Sequence, residues 1–152
     1  MIREANLNDM DSLVELGQIL SMHERMSDPY LKPISKQHTE NKYSQEIKNP
    51  NSKFFVFEHE DKIVGYIYGF IKKPPSHISG HKIIGYIEAC IVKETYRGKN
   101  ISRKLTNALK DWFKSKDVSL VELGVYADNE SLEVWKKLGF KPHHISMRKL
   151  LD

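Results

Sequence analysis

Most of the chemistry in this chain lies in one stretch, IIGYIEACIVKETYRGKNISRKLTNAL, from Ile83 to Leu109. Its second half sets Arg97, Gly98, Lys99, Asn100, Ile101, Ser102 and Arg103 where a loop passes into a helix. The first amides of a helix have no intrahelical acceptor, and with the helix dipole they form an anion site. Gly98 lets the backbone turn or approach a ligand closely, and Asn100 is the next most tolerant residue for a left-handed conformation. Arg97, Lys99, Arg103 and Lys104 add positive charge, so the expected ligand is a diphosphate. The first half offers a carboxylate, Glu88, within Tyr-Ile-Glu-Ala-Cys-Ile-Val. A glutamate among such neighbours is seldom decoration, and burial there would raise its pKa toward a useful range for proton transfer. Cys90, the only cysteine, reads as a packed thiol, since no basic partner is evident beside it. The seven histidines lack metal-site spacing on any one element, so no metal is expected.

These residues must be held by strands and helices, and the pattern supplies them. Ile2 to Ala5 reads as a short strand. Met10, Leu13, Leu16, Ile19 and Leu20 recur at helical spacing behind the capping residues Asn6, Asn8 and Asp9, which predicts a helix over about residues 9–22. Lys36 to Lys48 reads as a second, polar helix. Phe54–Glu58 and Ile63–Ile71 read as a hairpin around Glu60-Asp61-Lys62. A Pro-rich loop, a strand over Ile83–Val92 and a helix over Asn100–Lys114 follow. Then come a strand over Leu120–Tyr126, a short helix over Ser131–Leu138 stopped by Gly139, and last strands at Phe140 and Ile145–Leu150. Strand, helix and strand from Ile83 to Tyr126 predict one parallel pair with a crossover. The fold class expected is α/β of the α+β kind: a mixed, mostly antiparallel central sheet with helices on both faces.

Length and composition agree. The chain has 152 residues, enough for a single domain over 1–152. Its 39% hydrophobic and 29% charged residues fit a globular chain and not a disordered one. No apolar run approaches the 18 or so residues of a membrane span. With one cysteine, an intrachain disulfide framework is excluded. The N-terminus shows no basic-then-apolar signal pattern, so a cytoplasmic location is expected. A net charge of +4 is too mild and too scattered to indicate nucleic acid.

Three elements, in order, resemble the GCN5-related N-acetyltransferase (GNAT) family. Tyr96-Arg97-Gly98-Lys99-Asn100-Ile101-Ser102 is similar to its acyl-CoA loop, Arg/Gln-x-x-Gly-x-Gly/Ala. The opening Ile-Arg-Glu-Ala before an Asp-containing helix start resembles its first strand and helix. Trp135-Lys136-Lys137-Leu138-Gly139-Phe140 resembles its late Tyr-x-x-x-Gly-Phe element. There are departures: Asn100 stands where the family usually has Gly, Ser102 where it has Gly or Ala, and Trp135 where it has Tyr.

The resemblance implies a GNAT-like fold and an enzyme that moves the acetyl group of acetyl-CoA directly to a primary amine, without a metal. It makes Glu88 the general base. It gives the backbone of Cys90, Ile91 and Val92 to the pantetheine arm and the thioester carbonyl, and the amides of Arg97 to Arg103 to the pyrophosphate. Asn129 and Trp135 join the cofactor-binding set, with Asp128 as the alternative to Asn129. An indole cannot serve as the family's tyrosine acid, so the general acid stays open, Tyr126 being the nearest alternative. The acceptor, a small-molecule or peptide amine, is expected between Met22–Tyr43 and Lys72–Lys82, where Glu24, Asp28, Glu40 and Glu46 could attract a cation. Small proteins of this kind are often homodimers, and a homodimer is expected. A non-catalytic acyl-CoA-binding regulator is the alternative.

Overall fold

The computed structural model describes residues 1–152. Nine regular elements follow one another: β1 (Ile2–Glu4), α1 (Met10–Ser27), α2 (Lys36–Lys48), β2 (Ser52–His59), β3 (Lys62–Lys72), β4 (Ile84–Val92), α3 (Ile101–Ser115), β5 (Val121–Leu123) and α4 (Ser131–Lys137). The five strands form one sheet in the order β1-β2-β3-β4-β5. All neighbours are antiparallel except β4 and β5, which run parallel across α3. The mixed sheet expected from the pattern is therefore the one observed.

Each local feature has a residue-level cause. Asn6 accepts from the Asn8 amide at 2.8 Å, and Asp9 accepts from the Asn6 amide at 2.8 Å, so the turn before α1 is capped reciprocally. Helix α1 runs to Ser27, beyond the end expected at residue 22, because the first breaker met is Pro29, which holds Asp28 in extended backbone. The hairpin of β2 and β3 closes on Glu60 and Asp61, with φ of 49° and 58°, the two left-handed residues that a tight hairpin needs.

Strand β3 is central, and Ile63 to Gly69 are all buried, as expected for a strand covered on both faces. On one face α1 and α2 pack Leu13, Leu16 and Tyr43 against Phe54, Val56, Tyr66 and Tyr68. Phe54 and Tyr68 stack with ring centroids 4.2 Å apart. On the other face α3 lays Ile101, Leu105, Leu109 and Phe113 over Val64, Ile67 and Ile87. A Cβ on Gly85 would meet the Phe113 ring at 2.8 Å, so only glycine lets α3 sit this close to β4.

Two sequence expectations are corrected. The strand expected over Leu120–Tyr126 is confined to Val121–Leu123. Gly124, which has no side chain to pack, ends it, and its last paired residues are Ile87 and Leu123. The last strands expected at Phe140 and Ile145–Leu150 do not form: residues 141–152 are irregular and exposed, with Ile145 at 78% and Met147 at 89% accessibility. Alternating apolar residues supply strand propensity, but a strand also needs a hydrogen-bonded neighbour, and this segment has none. Arg148 ties it down, pairing with Asp28 at 2.9 Å and lying over the Tyr30 ring 5.5 Å from its centroid.

Candidate active site

The site begins with an irregularity in β4. Tyr68 pairs with Ala89 and Gly69 with Ile87, which leaves Glu88 as an extra residue without a partner on β3. Such a bulge re-aims the side chain it carries. Ile87 faces α3, whereas Ala89 and Ile91 pack with the α1 and α2 core. The bulge turns Glu88 to that second side, where Lys42 of α2 meets its Oε1 at 3.2 Å. The side chain keeps 35% of its accessible surface. The burial expected from its apolar neighbours is thus not realised, because the extra residue steps out of the alternation that buries them.

The bulge lies one residue past the last β4–β5 pair, Ile87 with Leu123. From Glu88 to Val92 the edge of β4 away from β3 has no strand beside it. The Lys93 amide donates to Val64 on β3 at 2.8 Å. By strand alternation Ile91 then also turns its backbone toward β3, while Cys90 and Val92 turn theirs to the open edge. Arg97 Nε caps the Val92 carbonyl at 3.1 Å, which leaves the Cys90 groups and the Val92 amide facing the gap. The Cys90 side chain points into the α3 side of the core. Burial pushes its thiol up to about 12, which makes it a poor nucleophile at neutral pH.

The gap leads to the start of α3. Gly98 has φ +76° and Asn100 φ +60°, so both adopt the left-handed backbone that their residue types tolerate. Asn100 stands at the helix entrance without a side-chain cap. The first internal amide bond of the helix runs from Lys104 to the Asn100 carbonyl at 3.1 Å, and the amides of Gly98, Lys99, Asn100, Ile101, Ser102 and Arg103 have no acceptor within the protein. A run of unpaired amides at a helix start, with the dipole behind it, suits an anion. Arg97, Lys99 and Arg103 surround it and are exposed. Arg97 reaches Glu130 at 3.5 Å and Arg103 reaches the Lys137 carbonyl at 3.4 Å, so the loop is tied to both ends of α4.

In front of α4, Asn129 accepts from the Ser131 amide at 2.9 Å, while Asp128 is exposed. Asn129 therefore holds the turn that enters α4, whose cap residue Glu130 makes no side-chain cap bond. Trp135 is half-buried, packed edge-on against Phe140 with centroids 5.4 Å apart. Tyr126 is half-buried, and desolvation, helped by Asp28 and Glu24, holds its phenol above the ordinary value.

Around Glu88 the structure assembles residues distant in sequence. Glu24 of α1 is half-buried with no hydrogen-bonding partner. Desolvation first, and then Glu88, raises its pKa, while Lys42 acts in the opposite sense. Of the acidic residues expected to draw a cation, Glu24 feels the charge of Glu88, Asp28 is occupied by Arg148, and Glu40 is exposed. Lys42 was not singled out by sequence reasoning. It lies 46 residues from Glu88 on a polar helix face, and no motif marks it. No group of histidine, cysteine and carboxylate side chains is arranged to hold a metal ion, and no helix is long and apolar enough to cross a membrane.

Comparison with known proteins adds to this geometry. The family model described as "Acetyltransferase (GNAT) family" matches residues 19–140. A glucosamine 6-phosphate N-acetyltransferase of Trypanosoma brucei brucei is 31% identical over 97 residues, 64% of this chain and 63% of that protein. An N-alpha-acetyltransferase of Sulfurisphaera tokodaii is 28% identical over 151 residues, covering 92% of this chain and 79% of that one. The match to the trypanosomal relative thus spans less than two thirds of its length. Among solved structures, a tetramutant of the BH1408 protein from Bacillus halodurans superposes with a TM-score of 0.89 at 22% identity, covering 99% of each chain. A predicted acetyltransferase with acetyl-CoA from Clostridium acetobutylicum superposes with a TM-score of 0.77 at 17% identity, covering 99% of this chain and 95% of that one. At these identities the superpositions establish the fold. With four fifths of its length inside the family match, the chain belongs to the acetyltransferase (GNAT) family.

Proposed function

We propose that this member of the acetyltransferase (GNAT) family transfers the acetyl group of acetyl-CoA to a primary amine by direct attack, with Glu88 as the general base. The observation that carries the reading is the continuity of the open β4 edge with the unpaired amides from Gly98 to Arg103. The pyrophosphate of the cosubstrate would lie on those amides, and the pantetheine arm along the edge. The Cys90 and Val92 amides are the donors available to the thioester carbonyl, where charge develops as the tetrahedral centre forms. Asn129, just before α4, and Trp135 on it would flank the cofactor.

Attack requires a neutral amine. In the proposed step the amine nitrogen bonds to the thioester carbon, its proton passes to Glu88 directly or through one water, and the carbon–sulfur bond breaks to release the thiolate. The Cys90 thiol is not the nucleophile, because burial pushes it up to about 12. Tyr126, the residue nearest to an acid, has a raised pKa and is a weak one. The thiolate therefore takes its proton from solvent. A cytoplasmic setting and a homodimer belong to the same proposal, to be tested by fractionation and sedimentation.

The decisive experiment is a thiol-release assay with acetyl-CoA and a panel of amines, run on the wild type and Glu88→Gln. Release by the wild type that falls about 10²-fold or more in the variant supports the reading. A melting-temperature rise with acetyl-CoA but no release with any amine would replace it with the non-catalytic acyl-CoA-binding regulator. The Lys42 clamp on Glu88 is the feature that favours that second reading.

A further inference from the structure

A cavity of about 380 Å³ opens between α2, β3 and the bulge of β4. Lys42 and Glu88 stand on one side of it, Glu46 and Asn51 also line it, and Tyr68 and Phe70 add aromatic surface. Its size suits a small molecule. Three observations give it a character.

The first concerns Tyr68. Its side chain belongs to the core, only 2% of the residue is accessible, and its ring stacks on Phe54. The neighbouring buried tyrosines, Tyr43 and Tyr66, satisfy each other with a 2.6 Å hydroxyl pair. The Tyr68 hydroxyl has no partner in the protein. It is not sealed in either: Arg25 Nε is the one unpaired side-chain polar atom fully shut off from solvent. What remains accessible of Tyr68 opens on the cavity that it lines. A hydroxyl that opens on a cavity and bonds nothing in the protein is free to bond a group that enters there. Desolvation, with Glu46 and Glu88 adding to it, keeps the phenol protonated.

The second is charge. The lining holds two carboxylates against one ammonium, and unpaired Glu24 on α1 feels the charge of Glu88. Glu46 is held in place by hydrogen bonds from Ser52 and Asn49. The third is Lys42. Its ammonium, 3.2 Å from Glu88, is itself a protonated primary amine resting on the group proposed to receive a proton from the acceptor. It marks the kind of group that this end of the cavity accepts.

We propose that this cavity is the acceptor site and that it selects a dicationic amine. The reacting ammonium displaces Lys42 at Glu88, a second ammonium reaches toward Glu46 and donates to the unpartnered Tyr68 hydroxyl, and the connecting chain passes over Phe70. The assignment rests on the acetyl-transfer reading for the role of Glu88, but the binding it describes can be measured without turnover. Glu46 and Tyr68 are specificity residues, and Lys42 is an internal competitor for the cation.

The test uses three amines of matched length, 1,5-diaminopentane, n-pentylamine and 5-aminopentanoate, in calorimetry on the CoA-loaded protein and in thiol release. The diamine is expected to bind about tenfold more tightly than the neutral-tailed amine, and the carboxylate most weakly. Glu46→Gln should erase that tenfold preference. Tyr68→Phe should raise KM several-fold with kcat and melting temperature unchanged, because the lost hydroxyl bonds nothing in the protein. Lys42→Met should lower KM for the diamine. Equal affinity for all three amines, or a preference untouched by Glu46→Gln, overturns the proposal even if thiol is released. Diamine binding that depends on Glu46, without thiol release, upholds the cavity and removes the catalytic reading. Tighter binding of the carboxylate would show that Lys42, and not the glutamates, sets the choice, and would also overturn it.

Discussion

Two places in this molecule join a helix to the sheet with one cation and two carboxylates, and they are in opposite states. At the outer edge Arg3 of β1 spreads its guanidinium over Asp9 at 2.8 and 2.9 Å and over Glu58 at 2.6 Å. The planar fork matches both partners, and Asp9 also accepts the Asn6 amide. The Asp9 carboxyl is consequently held below its ordinary value. On the face carrying the candidate site, Lys42 meets only Glu88, at 3.2 Å, and Glu24 has no partner. Burial and the neighbouring charge push the Glu24 carboxyl up. The first cluster is complete and can only be damaged. The second leaves negative charge uncompensated at the bulge of β4, a state that a visiting cation improves. The same inventory of charges thus serves stability in one place and is available for binding in the other.

The contrast can be broken most sharply at Glu88. Glu88→Gln is expected to cut kcat/KM by about 10²-fold or more while moving stability by no more than about 0.5 kcal/mol. Parallel thiol-release kinetics and urea melts check this, and a stability loss with retained turnover would make the two clusters alike. Arg3→Ala should do the reverse. It strands the buried Asp9 and the partly buried Glu58, and a loss of about 2 kcal/mol in urea unfolding is expected, with kcat unchanged.

Acid titration sharpens the difference further. Asp9 has a depressed folded pKa, so the unfolded chain binds its proton first as pH falls. The stability it contributes is whole above its ordinary value of 3.8 and is lost as pH drops toward the depressed value. Asp9→Asn should flatten that acid slope in unfolding free energy measured between about pH 4 and pH 2. Glu24 has the opposite sign. Its folded pKa is raised, so the folded chain is favoured below the ordinary value of 4.5, and that advantage disappears as pH rises through the raised value. Glu24→Gln is the smallest effect expected. After allowance for solvent screening it should gain ~0.5 kcal/mol at neutral pH, with a higher KM for a cationic amine.

Much of the frame was legible beforehand because it rests on local chemistry. The Asn6 and Asp9 caps, the turn at Glu60 and Asp61, the helix over Lys36–Lys48 and the stripe of Leu105, Leu109 and Phe113 each follow from neighbours within a turn or two. The left-handed Asn100 was legible for the same reason, since side-chain type alone sets that tolerance. Glu88 was found for a partly mistaken cause. Its apolar flanks suggested burial, whereas the bulge carries it out to Lys42. The strand expected at Ile145–Leu150 failed because propensity does not provide a neighbour.

Residue order by itself determined which segments coil, which extend, and where amides are left free to hold an anion, since those outcomes depend on backbone preference and spacing along the chain. Only the tertiary structure decided that Lys42 meets Glu88 within the electrostatic reach of Glu24, that Tyr68 keeps an unanswered hydroxyl in the cavity that Lys42 and Glu88 line, and that β4 parts from β5 after Ile87. These depend on one unpaired residue in a strand register and on helices brought together from dozens of residues away, and no local rule encodes a distance between side chains that meet only once the core has closed.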